Sequence, residues 1–406
     1  MLKFLYSKFT YLIPPILQAI GARISGKIAK RTKGLKDQNL ASFGHDHNIW
    51  FHCSSLGEFE MAKPLIDLFI KQGTYQIIVS FFSASGYEHC EEVDGLKKMY
   101  LPLDSKKNAR KVFNAIRPKA FVLVKYEFWL HYMSEAQRLN VPSYLISGLF
   151  RENHFLSKYF GKPWRKYLAQ FKTLYLQNKK SVKLAESWGF SNAVFSGDTR
   201  INKVLENRVA EEKDKILEDF VRPADKVIIL GSSWPKEEQL IAKAKLSDGT
   251  RVIIAPHDLN PVHLEMIKNL FPKSQMYTDY IPGEKTRVLV LNTMGMLKFA
   301  YQYANIAFIG GAFGKGLHNI LEPMTYGLPV IFGPNHSKFP EALAAMEAGI
   351  AKQVNTKSDL ETAINHFQNS TMDYKTTVKE WLDSRIVDIH GMLDNILEGI
   401  RKSESQ

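Results

Sequence analysis

Cysteine is scarce in this 406-residue chain, with Cys53 and Cys90 as the whole complement. Two thiols cannot make a disulfide framework or a thiolate metal cluster, and they suit a reducing compartment, the cytosol first among them. Acid is missing from the first 36 residues: Lys3, Lys8, Arg23, Lys27, Lys30, Arg31, Lys33 and Lys36 all precede the first carboxylate, Asp37. Long apolar runs are missing too. The most apolar stretch, Phe4 to Ile20, is broken by Lys8, Gln18 and the pair Pro14-Pro15, whereas a spanning helix needs about 20 predominantly apolar residues. Low-complexity tracts and short repeats are absent, which excludes a solenoid. No acidic pair has the setting of a metal site, and His45, His47, His52, His154 and His263 lack metal-ligand spacing and read as isolated.

What is present fills cores. The chain is 45% hydrophobic, with 6 Trp, 17 Tyr and 25 Phe, which rules out wholesale disorder. At roughly 100–200 residues per domain, the length suggests two domains. The formal net charge of +13 invites a nucleic-acid partner, but its location argues against one. Removing the eight bases before Asp37 leaves +5 on everything else, with no basic-aromatic stripe or recognised binding module. No nucleic acid is expected to bind.

The same eight bases follow or flank Phe, Tyr and Leu, a composition that suits an element lying in an anionic membrane face. Residues 1–36 are therefore expected to form a basic, apolar, membrane-associating segment. A solvated helix covering the first domain is the plain alternative. A cleaved signal with its site among Ala19 to Ala22 is opposed by the basic run that follows. Whether the segment spans the membrane or lies on it stays open.

Beyond residue 47, short β-branched or aromatic runs alternate with helical-period segments. Strands are expected at 49–53, 76–82, 121–126, 143–147, 173–176 and 193–196 in the first half. The second half offers 226–230, 251–255, 287–291, 306–309 and 329–332. Continuous runs such as Phe121-Val-Leu-Val and Val227-Ile-Ile-Leu are typical of parallel strands buried on both faces. With helices between them, they predict a doubly wound α/β protein with two Rossmann-like domains. Residues 37–205 form the first domain, 206–223 a charged linker and 224–406 the second. Two such domains facing each other leave a cleft lined by the carboxyl ends of both sheets.

The most informative stretch runs from Ile309 through Gly310-Gly-Ala-Phe-Gly-Lys-Gly-Leu-His-Asn-Ile-Leu-Glu-Pro323 to Gly333-Pro334. Gly310 and Gly311 let the backbone approach a ligand with no Cβ in the way. A helix is expected from near Asn319, with Pro323 in its first turn, and its free N–H groups would receive an anion such as a phosphate. Glu322 stands where a carboxylate can accept bonds from a ribose diol. Both common nucleotide fingerprints are missing, namely G-x-G-x-x-G and the Walker lysine. A structural turn with a capped helix explains the glycines alone; it explains His318, Asn319 and Glu322 together poorly.

A second candidate follows the first strand, in Trp50-Phe-His-Cys-Ser-Ser-Leu-Gly-Glu58, with a helix starting near Leu56. Two readings of Glu58 stand. Ser55-x-x-Glu58 fits a capping box, and Glu58 also fits a general base at a strand's carboxyl end. Gly57 would give a substrate close access to that helix start.

At this point several motifs agree. His52-x-Ser-Ser-Leu-Gly-Glu58 resembles the His-x-x-Ser-x-Gly-Glu motif of the 3-deoxy-D-manno-octulosonic acid (Kdo) transferases, and Gly310-Gly311 to His318-Asn319-x-x-Glu322-Pro323 resembles their donor-site motif. Tyr100-Leu-Pro-Leu-Asp104, Glu127-Phe-Trp129, Gly197-Asp-Thr-Arg200, Gly231-Ser-Ser-Trp-Pro235 and Asn292-Thr-Met-Gly295 lie between them in the family's order. The resemblance covers roughly residues 45 to 345.

The resemblance implies an inverting glycosyltransferase of the GT-B architecture, moving Kdo from CMP-Kdo to a lipid A precursor at the cytoplasmic face of the inner membrane. It makes Glu58 the base, with Glu127 and Arg200 stabilising the transition state. Read from the sequence alone, Glu127 is equally an acid at a helix start, and Arg200 a partner of Glu206 or a helix end. On the donor side the resemblance implies that Pro256, His257, Met294, Gly295, Met296, Gly310, Gly311, His318, Asn319, Ile320, Leu321 and Glu322 hold CMP. On the acceptor side it implies Ser54, Ser55, Gly57, Ser83 and Ser85, although Ser83-Ala-Ser-Gly86 is also an ordinary turn. No metal or other cofactor is expected. His257, Lys125 and Met296 depart from the family, which often has Arg, Glu and Glu there. The number of Kdo residues transferred is not legible, and a different GT-B enzyme using a UDP-sugar and a lipid acceptor is the alternative.

Overall fold

The computed structural model describes residues 26–44, 46–206, 213–221, 226–314 and 316–405. Two seven-stranded sheets account for the apolar runs, and every strand pairing in them is parallel. The first consists of β1 (Asn48–Cys53), β2 (Gln76–Phe81), β3 (Leu96–Tyr100), β4 (Pro118–Val124), β5 (Ser143–Gly148), β6 (Thr173–Leu176) and β7 (Ala193–Phe195), in the order β3-β2-β1-β4-β5-β6-β7. The second consists of β8 (Lys226–Ser233), β9 (Thr250–Pro256), β10 (Gln275–Met276), β11 (Val288–Val290), β12 (Ile306–Ile309), β13 (Val330–Phe332) and β14 (Ala351–Gln353), in the order β10-β11-β9-β8-β12-β13-β14. The chain is thus α/β and doubly wound, as the periodicity predicts. In each sheet the strand order reverses at one point: between β1 and β4 in the first, between β8 and β12 in the second. Loops leaving the carboxyl ends of those strands diverge there, which opens a crevice suited to a ligand.

The chain divides into two compact units, residues 1–203 with 386–406, and residues 204–385. This corrects the expected second domain at its far end. Ile389–Glu404 is an amphipathic helix whose Ile389, Met392, Leu393, Ile396 and Ile400 are buried with Ile49, Phe51, Val122 and Tyr144 of the first sheet. Its apolar positions recur at helical spacing, so it needs an apolar sheet face, and the first unit supplies one. Gly399 permits the approach: a Cβ there would collide with the Tyr144 hydroxyl, which donates to Asn395 O. Asn202 closes the return with two bonds to the Val387 backbone, at 2.8 and 3.0 Å. Among its described residues, the charged stretch expected to link the domains, 206–223, carries the short helix Lys215–Val221, which buries Leu217 and Phe220, and the helix Arg200–Glu206 leads into it.

The basic N-terminal segment falls mostly on residues 1–25, outside the described residues. Its described part, the helix Gly26–Asp37, belongs to the first unit and covers it, as the plain alternative reading has it. Arg31 is buried, donates from Nη2 to Leu101 O at 2.7 Å and lies 4.1 Å over the Phe82 ring. This base therefore serves the fold, whereas Lys30, Lys33 and Lys36 are exposed. Among the described residues, no helix is long and apolar enough to cross a membrane.

Candidate active site

Glu58 and Glu127 follow β1 and β4, the two strands of the first sheet's reversal point. The helix Leu56–Gln72 starts two residues before Glu58, and the carboxylate turns back to accept from the N–H of Ser54 at 2.5 Å and of Ser55 at 3.3 Å. The helix-cap reading of Glu58 is therefore correct in geometry, and it leaves room for the other. Glu127 accepts from the indole N–H of Trp129 at 3.1 Å. The Ser54 side chain also lowers its proton affinity, so Ser54 bears on both carboxylates.

Burial, then the charge of Glu127, raises Glu58 from 4.5 to about 8 despite the opposing pull of the Ser54 N–H, Lys125 and the Ser55 N–H. Burial also raises Glu127, against the Ser54 and Trp129 bonds and Lys125. Buried Glu58 and half-buried Glu127 interact electrostatically, and each favours its protonated form more than a free carboxyl does. Such a pair can accept a proton from a hydroxyl once it is fully ionised.

Two residues that sequence reasoning passed over complete this charge cluster. Lys125 lowers the proton affinity of Glu58, Glu127 and Asp198 alike. It stands at φ 67°, a left-handed conformation held by its N–H bond to Ile146 O at 3.0 Å. Asp198 is a partner of Arg200. The guanidinium Nε donates to both carboxylate oxygens at 3.1 Å and Nη2 to Oδ2 at 2.5 Å. Burial works against the Asp198 charge, and Arg200 and then Lys125 outweigh it, so Asp198 is held below its usual value. The only sequence signal for these residues is their place next to the motif residues Glu127 and Arg200.

Gly57 is exposed, with nothing within 4 Å of a Cβ built there, so the helix start is open to a ligand. Ser83 Oγ accepts from Gly86 N at 3.1 Å and lies 3.3 Å from Ser85 Oγ, capping the short helix Ala84–His89. The Ser83 N–H reaches Ser54 O at 2.8 Å, so this turn adjoins the carboxylate pair. His52 is a core group. Burial pulls it down to about 3, and Nδ1 lies 2.9 Å from Ser80 Oγ.

The second unit repeats the placement with different chemistry. Pro256 ends β9, and His257 follows it, its N–H donating to Ser233 O at 3.0 Å. The ring of His257 stacks on Trp234, with centroids 4.8 Å apart, and on His318, 4.5 Å apart. Gly310 is required, because a Cβ there would collide with the Ser232 carbonyl, and Ser232 itself stands at φ 51°. The Gly311 N–H is held by Glu237 Oε1 at 2.9 Å. Beneath this loop Glu238 accepts from Ser233 Oγ at 2.8 Å and contacts His263 Nε2 at 2.9 Å. His263 is therefore not isolated.

The helix expected near Asn319 is a single turn, Leu321–Met324. One turn sums few peptide dipoles, so the expected dipole-based anion site is not there. Pro323 at its third residue removes one N–H, and Asn319 Oδ1 already takes the Leu321 N–H at 3.0 Å. Asn319 Nδ2 also donates to Glu322 Oε1 at 3.1 Å, which orients that carboxylate. Ile320 and Leu321 are buried, so only their backbone could meet a ligand. Met294, 85% exposed, Gly295 at φ 83° and Met296 sit in the loop after β11, on the same carboxyl edge as His257. Lys315 lies outside the described residues. Among those described, no group of three or more His, Cys, Asp or Glu could hold a metal ion.

Comparison with known proteins agrees with these motifs. Residues 22–203 match the model of the 3-deoxy-D-manno-octulosonic-acid transferase (kdotransferase) family. The chain is similar to the Kdo transferases over most of its length. It is 26% identical over 355 residues to a 3-deoxy-D-manno-octulosonic acid transferase of Chlamydia trachomatis serovar D, covering 82% of this chain and 81% of that one. The transferase of Haemophilus influenzae is 24% identical and covers 91% of both chains. The transferase of Aquifex aeolicus is 23% identical, covering 82% of this chain and 89% of its own. Among solved structures, the fold matches the UDP-GlcNAc 2-epimerase of Neisseria meningitidis bound to UDP-GlcNAc (TM-score 0.60, 15% identity, 86% of this chain and 100% of that one). It also matches CalG4, the calicheamicin glycosyltransferase (TM-score 0.56, 13% identity, 88% and 99%).

Proposed function

We propose that this protein is an inverting Kdo transferase, moving Kdo from CMP-Kdo to a lipid A precursor of the lipid IVA type in lipopolysaccharide biosynthesis. The first unit takes the acceptor and the second the donor, as the two halves of a GT-B enzyme. The observation that carries the reading is the electrostatically interacting carboxylate pair Glu58 and Glu127 at the first sheet's reversal point. Similarity to the Kdo transferase family model and to the Kdo transferases supports the choice of sugar.

In this reading the acceptor hydroxyl oxygen forms the new bond to the sugar's anomeric carbon, while the bond from that carbon to the CMP phosphate breaks and its electron pair leaves with the phosphate. Glu58 takes the hydroxyl proton. Glu127, Lys125 and the Arg200–Asp198 pair shape the field around the separating charge. In the second unit, Gly310 and Gly311 bring backbone to the nucleotide, and Asn319 presents Glu322 to the ribose. Pro256, His257 and the loop Met294–Gly295–Met296 flank the base and phosphate. Ser54, Ser55, Gly57, Ser83 and Ser85 meet the acceptor. No metal or other cofactor takes part. The enzyme works at the cytoplasmic face of the bacterial inner membrane, with residues 1–25 and the exposed Lys30, Lys33 and Lys36 meeting anionic lipid.

Incubation with CMP-Kdo and a lipid IVA-type acceptor, followed by mass spectrometry, tests the reading. Addition of one or more Kdo units is the expected result, and their number comes from the same spectrum. An unmodified acceptor, together with tighter calorimetric binding of UDP than of CMP, overturns it.

A further inference from the structure

The three rings of the second unit form a shelf. Trp234 and His318 lie edge to edge, joined by a 3.0 Å hydrogen bond from the indole N–H to His318 Nε2. His257 lies across both, inclined by 28° to the indole and 25° to the imidazole. An indole nitrogen can only donate, so His318 Nε2 must offer a lone pair. That leaves the ring proton of His318 on Nδ1. The Cδ2–Nε2 edge is also pinned over Gly311, where a Cβ would come within 2.8 Å of Cδ2 and 3.1 Å of Nε2. The backbone N–H of His318 bonds Gly310 O at 3.1 Å, which fixes the base of the side chain.

Burial, and then the neighbouring His257, lowers the proton affinity of His318, in keeping with a neutral ring whose Nε2 accepts from Trp234. The carboxylate facing His257 is Asp258, held below its ordinary value by Asn260 and, in smaller part, by His263 and His257. Glu237 is turned to the N–H groups of Trp234 and Gly311, and Glu238 to Ser233 and His263.

We propose that Trp234 is a positioning residue of the donor site: it holds His318 as the neutral Nδ1–H tautomer and, with it, seats the stacked ring of His257, which then faces the ligand's phosphate. The phosphate role rests on the donor-site reading above; the tautomer does not.

The test uses the full chain labelled with 15N-histidine, with CMP as the probe, between pH 5.5 and 8.5. Wild type is expected to keep His318 in the Nδ1–H form throughout. Trp234→Phe keeps an aromatic ring and removes the donor. It should release the His318 tautomer and weaken CMP binding by about fivefold, the worth of one net hydrogen bond. His257→Gln should weaken CMP binding and leave the His318 tautomer unchanged. An Nε2–H tautomer in wild type overturns the proposal, as does a Trp234→Phe protein with an unchanged His318 signal. If the tautomer is as assigned and CMP does not bind, the donor-site reading falls while the Trp234–His318 assignment stands.

Discussion

The two units place their candidate sites alike, at the reversal point of a parallel sheet, and fill them in opposite ways. The first unit gathers interacting charges, with Glu58 buried and Glu127, Lys125, Asp198 and Arg200 half-buried around it, and burial lifts both glutamates. The second ties its buried titratable side chains Glu237, Glu238 and His263 into hydrogen bonds and presents glycine backbone and a half-exposed ring shelf. A reacting centre gains from buried charge, because fixed charges act more strongly where water is excluded. A nucleotide site gains more from close backbone and flat rings, which set shape and orientation. The difference is thus the one expected between a chemical half-site and a binding half-site.

The largest expected effect breaks the first unit's side of that contrast. Glu58→Gln preserves volume and can still accept the Ser54 N–H, yet it cannot take a proton. Transfer should fall by about 10²–10⁴-fold, while CMP affinity measured by calorimetry stays within about twofold. Near-normal turnover would reduce Glu58 to a helix cap. The matching break in the second unit is Gly310→Ala, where the new methyl meets the Ser232 carbonyl. It should cost about 1–3 kcal/mol in denaturant unfolding and weaken CMP binding, with the Glu58 site intact. Unchanged binding would show that the glycine serves only the turn.

A pH series sharpens the same comparison. Because Glu58 is raised from 4.5 to about 8, the base is largely protonated at neutral pH, and transfer should rise as pH increases through about 8. Stability moves the other way. A carboxyl whose folded value lies above its unfolded value imposes no penalty below 4.5, and the fold loses stability as pH climbs toward and past the folded value. Glu58→Gln lacks that loss, so its stability relative to wild type should improve on the order of 2 kcal/mol between pH 5 and pH 9. A pH-independent difference in unfolding free energy would contradict the raised value.

How much of this was legible follows the same division between buried and exposed. Strands β6 and β12 were readable to the residue, and the central strands nearly so, because each is a continuous apolar run covered on both faces. The three strands missed, β3, β10 and β14, all lie at sheet edges. There Lys97 and Lys98, or a two-residue length, erase the apolar signal. Glu58 and Glu127 were legible since each follows an apolar strand at a motif. Lys125 and Ser232 were not, because their left-handed turns depend on neighbouring strands: the Lys125 N–H finds Ile146 O only in the folded sheet. The ring shelf likewise joins residues 84 positions apart. The C-terminal helix shows its apolar face in the sequence, but periodicity cannot say which sheet will receive it.

The smallest effect expected separates bases that serve the fold from bases available to lipid. Arg31 reaches Leu101 O and lies on Phe82; Phe82 packs 5.1 Å from Trp129, and Trp129 donates to Glu127. The N-terminal helix is thereby connected through two aromatic rings to one of the two carboxylates. Arg31→Ala removes one hydrogen bond and a guanidinium–ring contact, about 1–3 kcal/mol together, and should lower transfer only a fewfold through a less fixed Trp129. Removal of residues 2–25 leaves that connection whole. The shortened chain should unfold at the same denaturant concentration and turn over a water-soluble acceptor analogue normally, while co-sedimenting less with anionic vesicles. If Arg31→Ala released the protein from vesicles as fully as the truncation does, the helix Gly26–Asp37 would be a lipid-binding element and its place against the first sheet secondary.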